Sequence, residues 1–568
     1  MEEKTYRTIY AALLLALLFA TTPSSSSSIL DLKNELYHST KTDAESLLQL
    51  KNTIQKDPRG VLTNWRLGTN PCNWFGVSCA LGRVRNLNLC GCNLSENLSL
   101  DPLPSLTELS VLNLSRNSFS ISSSGLIHLP NSLEELDLSS TGLHGIIPEI
   151  FLGLSHNMRD AHLQHQFWKL LIPASLSKCV HLKVLNLSCN ELSGEISDFF
   201  AELRNLERLH LSSNQFTGSI PAGLRNACGS LLQQKLSNNN ISGLIPNSFS
   251  NCFSLQQLDL ANNISGPIPE DALRNLTSLE ILSLGNNFIT GSFPSSLSAC
   301  KYLKMVDFSS NKLSGLLPPD ICLGASSIEE IRAPDNLIDG KIPSRWSRCS
   351  RLRMIDLSIN NLEGMIPPEL GLLANLELLM LWFNSLSGSI PSELGRCSRL
   401  KNLILNNNFI EGDIPLQLFN CSNLEWISFT HNRGNLQRVR PPRAVLQLAN
   451  NSLTGEIPSE LGNCTCLVWL DLNSNHLTGK IPPVLGRQLG AGALSGILLD
   501  NTLAFVQNVG NSCKGVGGRT AGVHRNPAGE TPPGPDAQVV RLHQALLWHR
   551  SKRLDALPNP RVPRPLLQ

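Results

Sequence analysis

One stretch constrains this chain more than any other. Leu352 to Pro367 reads LRMIDLSINNLEGMIP, in the frame L-x-x-L-x-L-x-x-N-x-L-x-G-x-I-P. Leu352, Ile355 and Leu357 are its apolar pegs and Asn360 its polar one; Leu362, Gly364, Ile366 and Pro367 follow. The frame returns from Leu376, Leu400 and Leu467. With Asn360 as position zero there are 17 equivalent positions, from Cys92, Asn117, Thr141 and Gln166 through to Asn451 and Asn475. Every step is 24 or 25 residues, apart from the 19 between Asn432 and Asn451.

Residues two apart on a strand share a face, so Ile355 and Leu357 point inward while Asp356 and Ser358 point out. One such coil cannot bury its apolar face alone, and stacked coils share a continuous core. The period and pattern define a leucine-rich repeat. The expected fold is an α/β solenoid over residues 83–485, a superhelix with short parallel strands on a concave face and 3-10 or irregular segments on a convex one. The Asn amide is expected to satisfy buried backbone groups of its own coil and the next. Each such group left unpaired costs about 1–3 kcal/mol, which makes these asparagines spine rather than site.

Charged residues are 16% of the chain and the net charge is +2, so there is no electrostatic case for nucleic acid. Lys4 and Arg7 precede an apolar run from Ile9 to Ala20, and a Ser-rich stretch follows. Residues 1–28 therefore read as a secretory signal peptide, the run being too short to span a bilayer. No later stretch reaches 18 apolar residues, and no membrane anchor is expected in the mature chain. No Gly-rich phosphate loop, kinase signature, zinc-type cysteine spacing or other catalytic constellation is present, so neither enzyme activity nor a metal or cofactor is expected. A recurring Asp on the strands (Asp137, Asp259, Asp307, Asp356, Asp471) reads as solvated or hydrogen-bonded repeat residues.

Eight of the 16 cysteines, among them Cys179, Cys228, Cys252, Cys349 and Cys464, lie 11 residues before a spine position. They are expected to form a column of small buried thiols. Cys72 and Cys79 stand ahead of the repeats, and with a signal peptide they are expected to pair in a disulfide. Sequons at Asn93, Asn97, Asn113, Asn186, Asn240, Asn275, Asn420, Asn450 and Asn463 are candidate glycan sites. A tenth, at Asn263, falls on the spine and is expected to be too buried for modification.

Residues 42–57 are expected to form a helix that caps the solenoid, begun by a Thr42–Glu45 capping box. With Trp65 and Trp74 they belong to an N-terminal cap over 40–82. The stretch TDAESLLQLKNTI, the segment NPCNWFGVSC and the GxIP half of each repeat resemble the ectodomains of plant leucine-rich-repeat receptor kinases. Gly486 to Gly518, GRQLGAGALSGILLDNTLAFVQNVGNSCKGVGG, is similar to the start of the island insertion in brassinosteroid-receptor-like kinases, especially their vascular branch. The resemblance covers residues 40–518. It implies an extracellular or cell-surface module that takes a peptide or steroid ligand and a co-receptor kinase, from a family of plasma-membrane proteins. In that family a steroid lies between island and solenoid. Here the island is partial, ending its match after Cys513 and Lys514.

Two coils break the frame. In MRDAHLQHQFWKLLIP, Ala161, Leu163 and Gln166 occupy peg positions. After Asn432, Arg433 to Arg443 crowd four arginines and two prolines, with Gly434 where Leu is expected. Either an insertion loop or a local reading-frame slip accounts for it, and the slip fits better. Residues 519–568 carry no repeat and read as a disordered or out-of-frame tail.

Trp382, Trp426 and Trp469 occupy outward strand positions in the C-terminal coils, with Phe383 beside the first. Outward Trp has no core to fill and interfaces favour it. These four residues are the candidate ligand or partner surface. The chain thus reads as the binding module of a plant receptor-like protein. The alternatives are a truncated receptor kinase of the brassinosteroid-receptor type and a secreted inhibitor-type defence protein.

Overall fold

The computed structural model describes residues 40–120, 129–148, 157–262, 264–435, 445–463, 467, 469–488 and 504–506. The expected signal peptide, Asn263, Cys464, residues 436–444, most of the island segment and the tail lie outside the described residues.

A sheet of nineteen strands runs through the chain. Seventeen of them, from Arg83–Asn88 to Trp469–Asp471, are parallel, one for each expected coil. Their register is that of the sequence frame: Met354 pairs with Leu378, Ile355 with Leu379 and Asp356 with Met380. Val77–Ala80 and Ala504–Val506 flank the stack and run antiparallel to their neighbours. Inside, Leu352, Ile355, Leu357, Leu362 and Ile366 are all buried, as are most of their equivalents in the other coils, whereas Ile481 in the last coil is exposed.

The spine asparagines hold the coils together, with one difference from expectation. Asn360 Nδ2 donates to Leu357 O at 3.1 Å within its own coil and to Ala333 O at 2.9 Å in the preceding one. Its Oδ1 accepts from Ile338 N, also in the preceding coil, at 3.1 Å. The side chain therefore reaches back rather than forward, because it leaves the strand on the side where the previous coil's carbonyls are exposed. Gln166 does the same work in the degenerate coil, accepting from Leu143 N at 2.7 Å and donating to Leu138 O. Ala161, Leu163 and Trp168 fill that coil's core, so its sequence departs from the frame while its fold does not.

Behind the sheet the expected 3-10 turns are present. The Pro of G-x-I-P precedes most of them, with Ser197 in its place before Asp198–Glu202: Pro367, at φ −63°, leads into Pro368–Leu372, and Pro391, at φ −64°, into Ser392–Arg396. Proline has its φ fixed near this value, which sets the entry to the turn. Between sheet and turns lies a tier of short strands absent from the sequence reading, such as Leu337–Gly340 paired with Asn361–Gly364. Gly364, at φ +74°, lets the chain bend here without a Cβ clash.

Three expectations at the cap and in the cysteines change. The helix is already formed at Thr40 and runs to Thr53. Thr42 is thus inside it rather than at its N-cap, its carbonyl accepting from Ser46 Oγ at 3.0 Å. The cysteine column is not all thiols. Cys228 is bonded to Cys252, with Cα atoms 4.2 Å apart, and Cys349 to Cys322, with Cα atoms 5.1 Å apart. Stacking puts column residues of adjacent coils within bridging reach, and that proximity does not appear in one coil's sequence. Cys179, Cys300, Cys397 and Cys421 remain buried thiols, and burial pushes Cys300 and Cys397 up to about 12. Cys72 and Cys79 are bonded within the cap, their Cα atoms 5.4 Å apart.

Candidate functional site

Three residues of each coil face outward from the sheet, and their chemistry changes along the stack. In the coils up to Glu330–Arg332 this face is mostly polar and charged: Glu135 and Asp137, Asp160 and His162, Arg208 and His210, Gln233 and Lys235. Apolar residues occur on it singly at Val111, Val184, Ile281 and Met305 and become more frequent from Met354 onward. Met354, Leu378, Met380, Ile404 and Val445 join Trp382, Trp426 and Trp469 there. The sequence reading took the aromatic residues and missed the Met, Leu, Ile and Val between them. The missing signal was comparison of the same outward position coil by coil.

The outward aspartates are held by the repeat. Asp356 Oδ1 accepts from Ser358 N at 3.1 Å and Ser358 Oγ at 2.7 Å, and withdrawal from water pushes its pKa up to about 6. Asp307 and Asp137 accept from Ser309 and Ser139 in the same way. Among the described residues no group of His, Cys, Asp or Glu is arranged to hold a metal ion.

The four candidate residues differ in their setting. Trp382 is half-buried and Phe383 is 37% exposed, side by side on the outer surface. Trp469 is half-buried on the last parallel strand, where Trp469–Asp471 pairs with Ala504–Val506 of the island segment. The expectation that all three tryptophans stand out toward solvent fails at Trp426, which is 5% exposed. Its indole N–H donates to Gln447 Oε1 at 3.2 Å, and the same oxygen accepts from Ser428 Oγ at 2.7 Å. Trp426 is thus built into the wall, and Trp382, Phe383 and Trp469 are the members left accessible.

A backbone feature recurs in every coil, these included. The residue before the spine position adopts a left-handed conformation along the stack, and most coils place Asn, Ser, Asp or His there. Arg116, at φ +55°, Ile359, at φ +53°, and Phe383, at φ +57°, are bulky exceptions, the last two in adjacent coils and apolar. A non-glycine residue in this region costs on the order of 1 kcal/mol, and such strain gathers at functional sites. The sequence carries this signal as SINN and WFNS where most other coils place a small or polar residue before the Asn, as in SSN, PDN and NNN.

The sequons fall into two groups. Asn93, Asn97, Asn240, Asn275, Asn420 and Asn450 are exposed. Asn113 and Asn186 are half-buried on the sheet face, each accepting through Oδ1 from the serine two residues on. The side chain of Asn463 lies outside the described residues.

With the geometry established, comparison with known proteins places the chain. A profile described as leucine rich repeat N-terminal domain matches residues 40–80. The Leucine Rich Repeat profile matches nine segments, from 132–154 to 466–488. The chain is a leucine-rich-repeat protein. Its cap and repeats are similar to those of plant receptor-kinase ectodomains. The Arabidopsis thaliana serine/threonine-protein kinase BRI1-like 2 is 47% identical over 190 residues, 28% of this chain and 16% of that protein. The brassinosteroid LRR receptor kinase BRL3 of Oryza sativa subsp. japonica is 36% identical over 173 residues, 29% of this chain and 12% of that one. The matched stretch thus spans less than a fifth of the length of either relative. Among solved leucine-rich-repeat structures, the Arabidopsis receptor kinase HAESA, in complex with the peptide hormone IDA and the co-receptor SERK1, aligns with 28% identity and a TM-score of 0.54. That alignment covers 80% of this chain and 93% of HAESA. A TDR receptor aligns with 26% identity and a TM-score of 0.61, over 71% of this chain and 78% of its own. Among the described residues no helix is long and apolar enough to cross a membrane.

Proposed function

We propose that this chain is the ligand- and partner-binding ectodomain of a plant receptor-like protein, acting outside the cell in hormone or peptide signalling. The contact is made on the apolar part of the sheet face, by Trp382, Phe383 and Trp469. The observation that carries this reading is the gathering of half-buried apolar side chains on that face from Met354 onward, at Met354, Leu378, Met380, Trp382 and Trp469. A solvated face has no reason to carry Met, Leu and Trp on successive strands, and apolar surface of this kind marks an interaction site. The strained Phe383 and the pairing of Ala504–Val506 beside Trp469 support the same place. The partner classes are a peptide or steroid ligand and a co-receptor kinase ectodomain of the type bound to HAESA.

The test measures binding of the SERK1 ectodomain to the secreted chain, with and without brassinosteroid. Trp382→Ala and Trp469→Ala should each weaken the complex about tenfold or more, since buried aromatic anchors contribute about 2 kcal/mol or more. Secretion should be unchanged. Unaltered affinity in both variants would remove the site.

A further inference from the structure

The first coil carries a cleft that the repeat pattern does not explain. Its volume is about 390 Å³, and it lies where the cap helix ends against the first coils. Asn52, Thr53 and Gln55 line it from the cap, and Asn97, Ser99 and His144 from the coils. With Leu98 beside them, the lining is amide, hydroxyl, imidazole and one apolar side chain, with no carboxylate, ammonium or guanidinium group. Amides and hydroxyls both donate and accept, which suits a neutral polyhydroxylated ligand rather than an ion. The volume is that of a small-ligand site.

Asn97 heads the sequon Asn97-Leu98-Ser99, and it is not there because of the repeat. Glu96 stands where later coils have the Gly of G-x-I-P, Asn97 where they have the variable residue and Ser99 where they have Pro. Glu96 nonetheless keeps the left-handed backbone of that glycine, at φ +76° against +74° for Gly364. A glutamate held in that conformation is strained. Its compensation is a contact with the cap: Lys56 Nζ lies 2.5 Å from Glu96 Oε1. Ser95 N donates to Lys56 O at 3.3 Å, and Ser99 N to Thr53 Oγ1 at 3.3 Å. The strand Ser95–Asn97 is thereby tied to the end of the cap helix, with Asn97 exposed at the rim of the cleft.

We infer that Asn97 is N-glycosylated and that the first sugar of its glycan lies in this cleft, joining the cap to the first coil. The covalent step transfers the oligosaccharide from a lipid pyrophosphate donor. The Asn97 Nδ2–anomeric carbon bond forms, the anomeric carbon–phosphate oxygen bond breaks, and the amide nitrogen gives up one proton. The inference rests on passage through the secretory route, as the proposed function does, but not on the Trp382 surface.

The experiment uses the full chain secreted from a plant or insect host, with glycopeptide mass spectrometry. Asn97 should be occupied. On the native protein its glycan should be released by peptide N-glycosidase at least tenfold more slowly than those at Asn240 and Asn275, with the difference lost after denaturation. Ser99→Ala, which removes the sequon and keeps Asn97, should speed tryptic cleavage after Lys56 severalfold; Ser99→Thr, which keeps the sequon, should not. An unoccupied Asn97 in secreted protein overturns the inference and leaves the receptor reading standing. Native release as fast as at Asn240 overturns the sugar's place in the cleft. A chain found unglycosylated in the cytosol overturns both.

Discussion

Two glutamines show how one side chain succeeds or fails by its place in the frame. Gln166 occupies a spine position, and its amide reaches the carbonyl and N–H groups that asparagine satisfies elsewhere. Gln234 occupies an inward peg position on the strand Gln233–Lys235, where the other coils place an apolar residue. It is fully buried, and neither its Oε1 nor its Nε2 finds a partner. A buried polar group without a hydrogen bond costs about 1–3 kcal/mol. Gln234→Leu keeps nearly the same volume and removes that cost. It should stabilise the coil by about 1–3 kcal/mol in denaturant unfolding. A loss of stability would mean that the amide is satisfied by water inside the core.

At the scale of the coil, the residue just before the strand forms a ladder of alternating charge along one flank from Glu280 to Glu425. Glu329, Arg353, Glu377 and Lys401 follow one another in successive coils. Arg353 lies 3.9 Å from Glu329 and 2.9 Å from Glu377, and Lys401 lies 2.6 Å from Glu377. Parallel stacking brings equivalent positions together, so like charges there would repel and alternation favours the register. Glu377 serves two cations, and the Lys401 hydrogen bond above all holds its carboxyl below its ordinary 4.5. A depressed carboxylate contributes its stability above the ordinary value and loses it as pH falls through the lowered one. Glu377→Gln should therefore cost about 1 kcal/mol at neutral pH. The gap from the parent should close in acid, and shrink in about 1 M salt. A pH-independent gap would mean that packing, not charge, accounts for the loss. The period, the pegs and the spine were legible in the sequence because each is set within one coil. The flank ladder, the disulfides of Cys252 and Cys349 and the burial of Trp426 were not, because each depends on which residues of neighbouring coils come together. The candidate surface was half legible for the same reason. Trp382 and Trp469 announce themselves as outward aromatics, whereas Met380 and Ile404 gain meaning only as neighbours.

A stack of coils has two ends, and each must cover a core and a strand edge. At the N-terminal end the cap helix does this through one carboxylate. Asp43 is buried; its oxygens accept from Arg83 Nε and Nη2, both at 2.9 Å, and from Val84 N at 2.9 Å. Val84 is the first apolar peg of the first coil, so Asp43 joins the cap helix to the start of the sheet. Asp43→Ala leaves a largely covered guanidinium and a strand N–H without their partner, which costs about 3–5 kcal/mol. The Cys72–Cys79 bond lies within the cap and cannot replace that link. Because each coil touches only its neighbours, the loss should stay local. Trp65 and Trp74, stacked in the cap with ring centroids 5.5 Å apart, report on it through a change in fluorescence. In Asp43→Ala that change should move to lower denaturant, while the circular dichroism transition of the later coils moves much less. Two transitions that shift together by the same amount would show instead that cap and coils unfold as one unit, and that Asp43 stabilises the whole stack rather than its first turn.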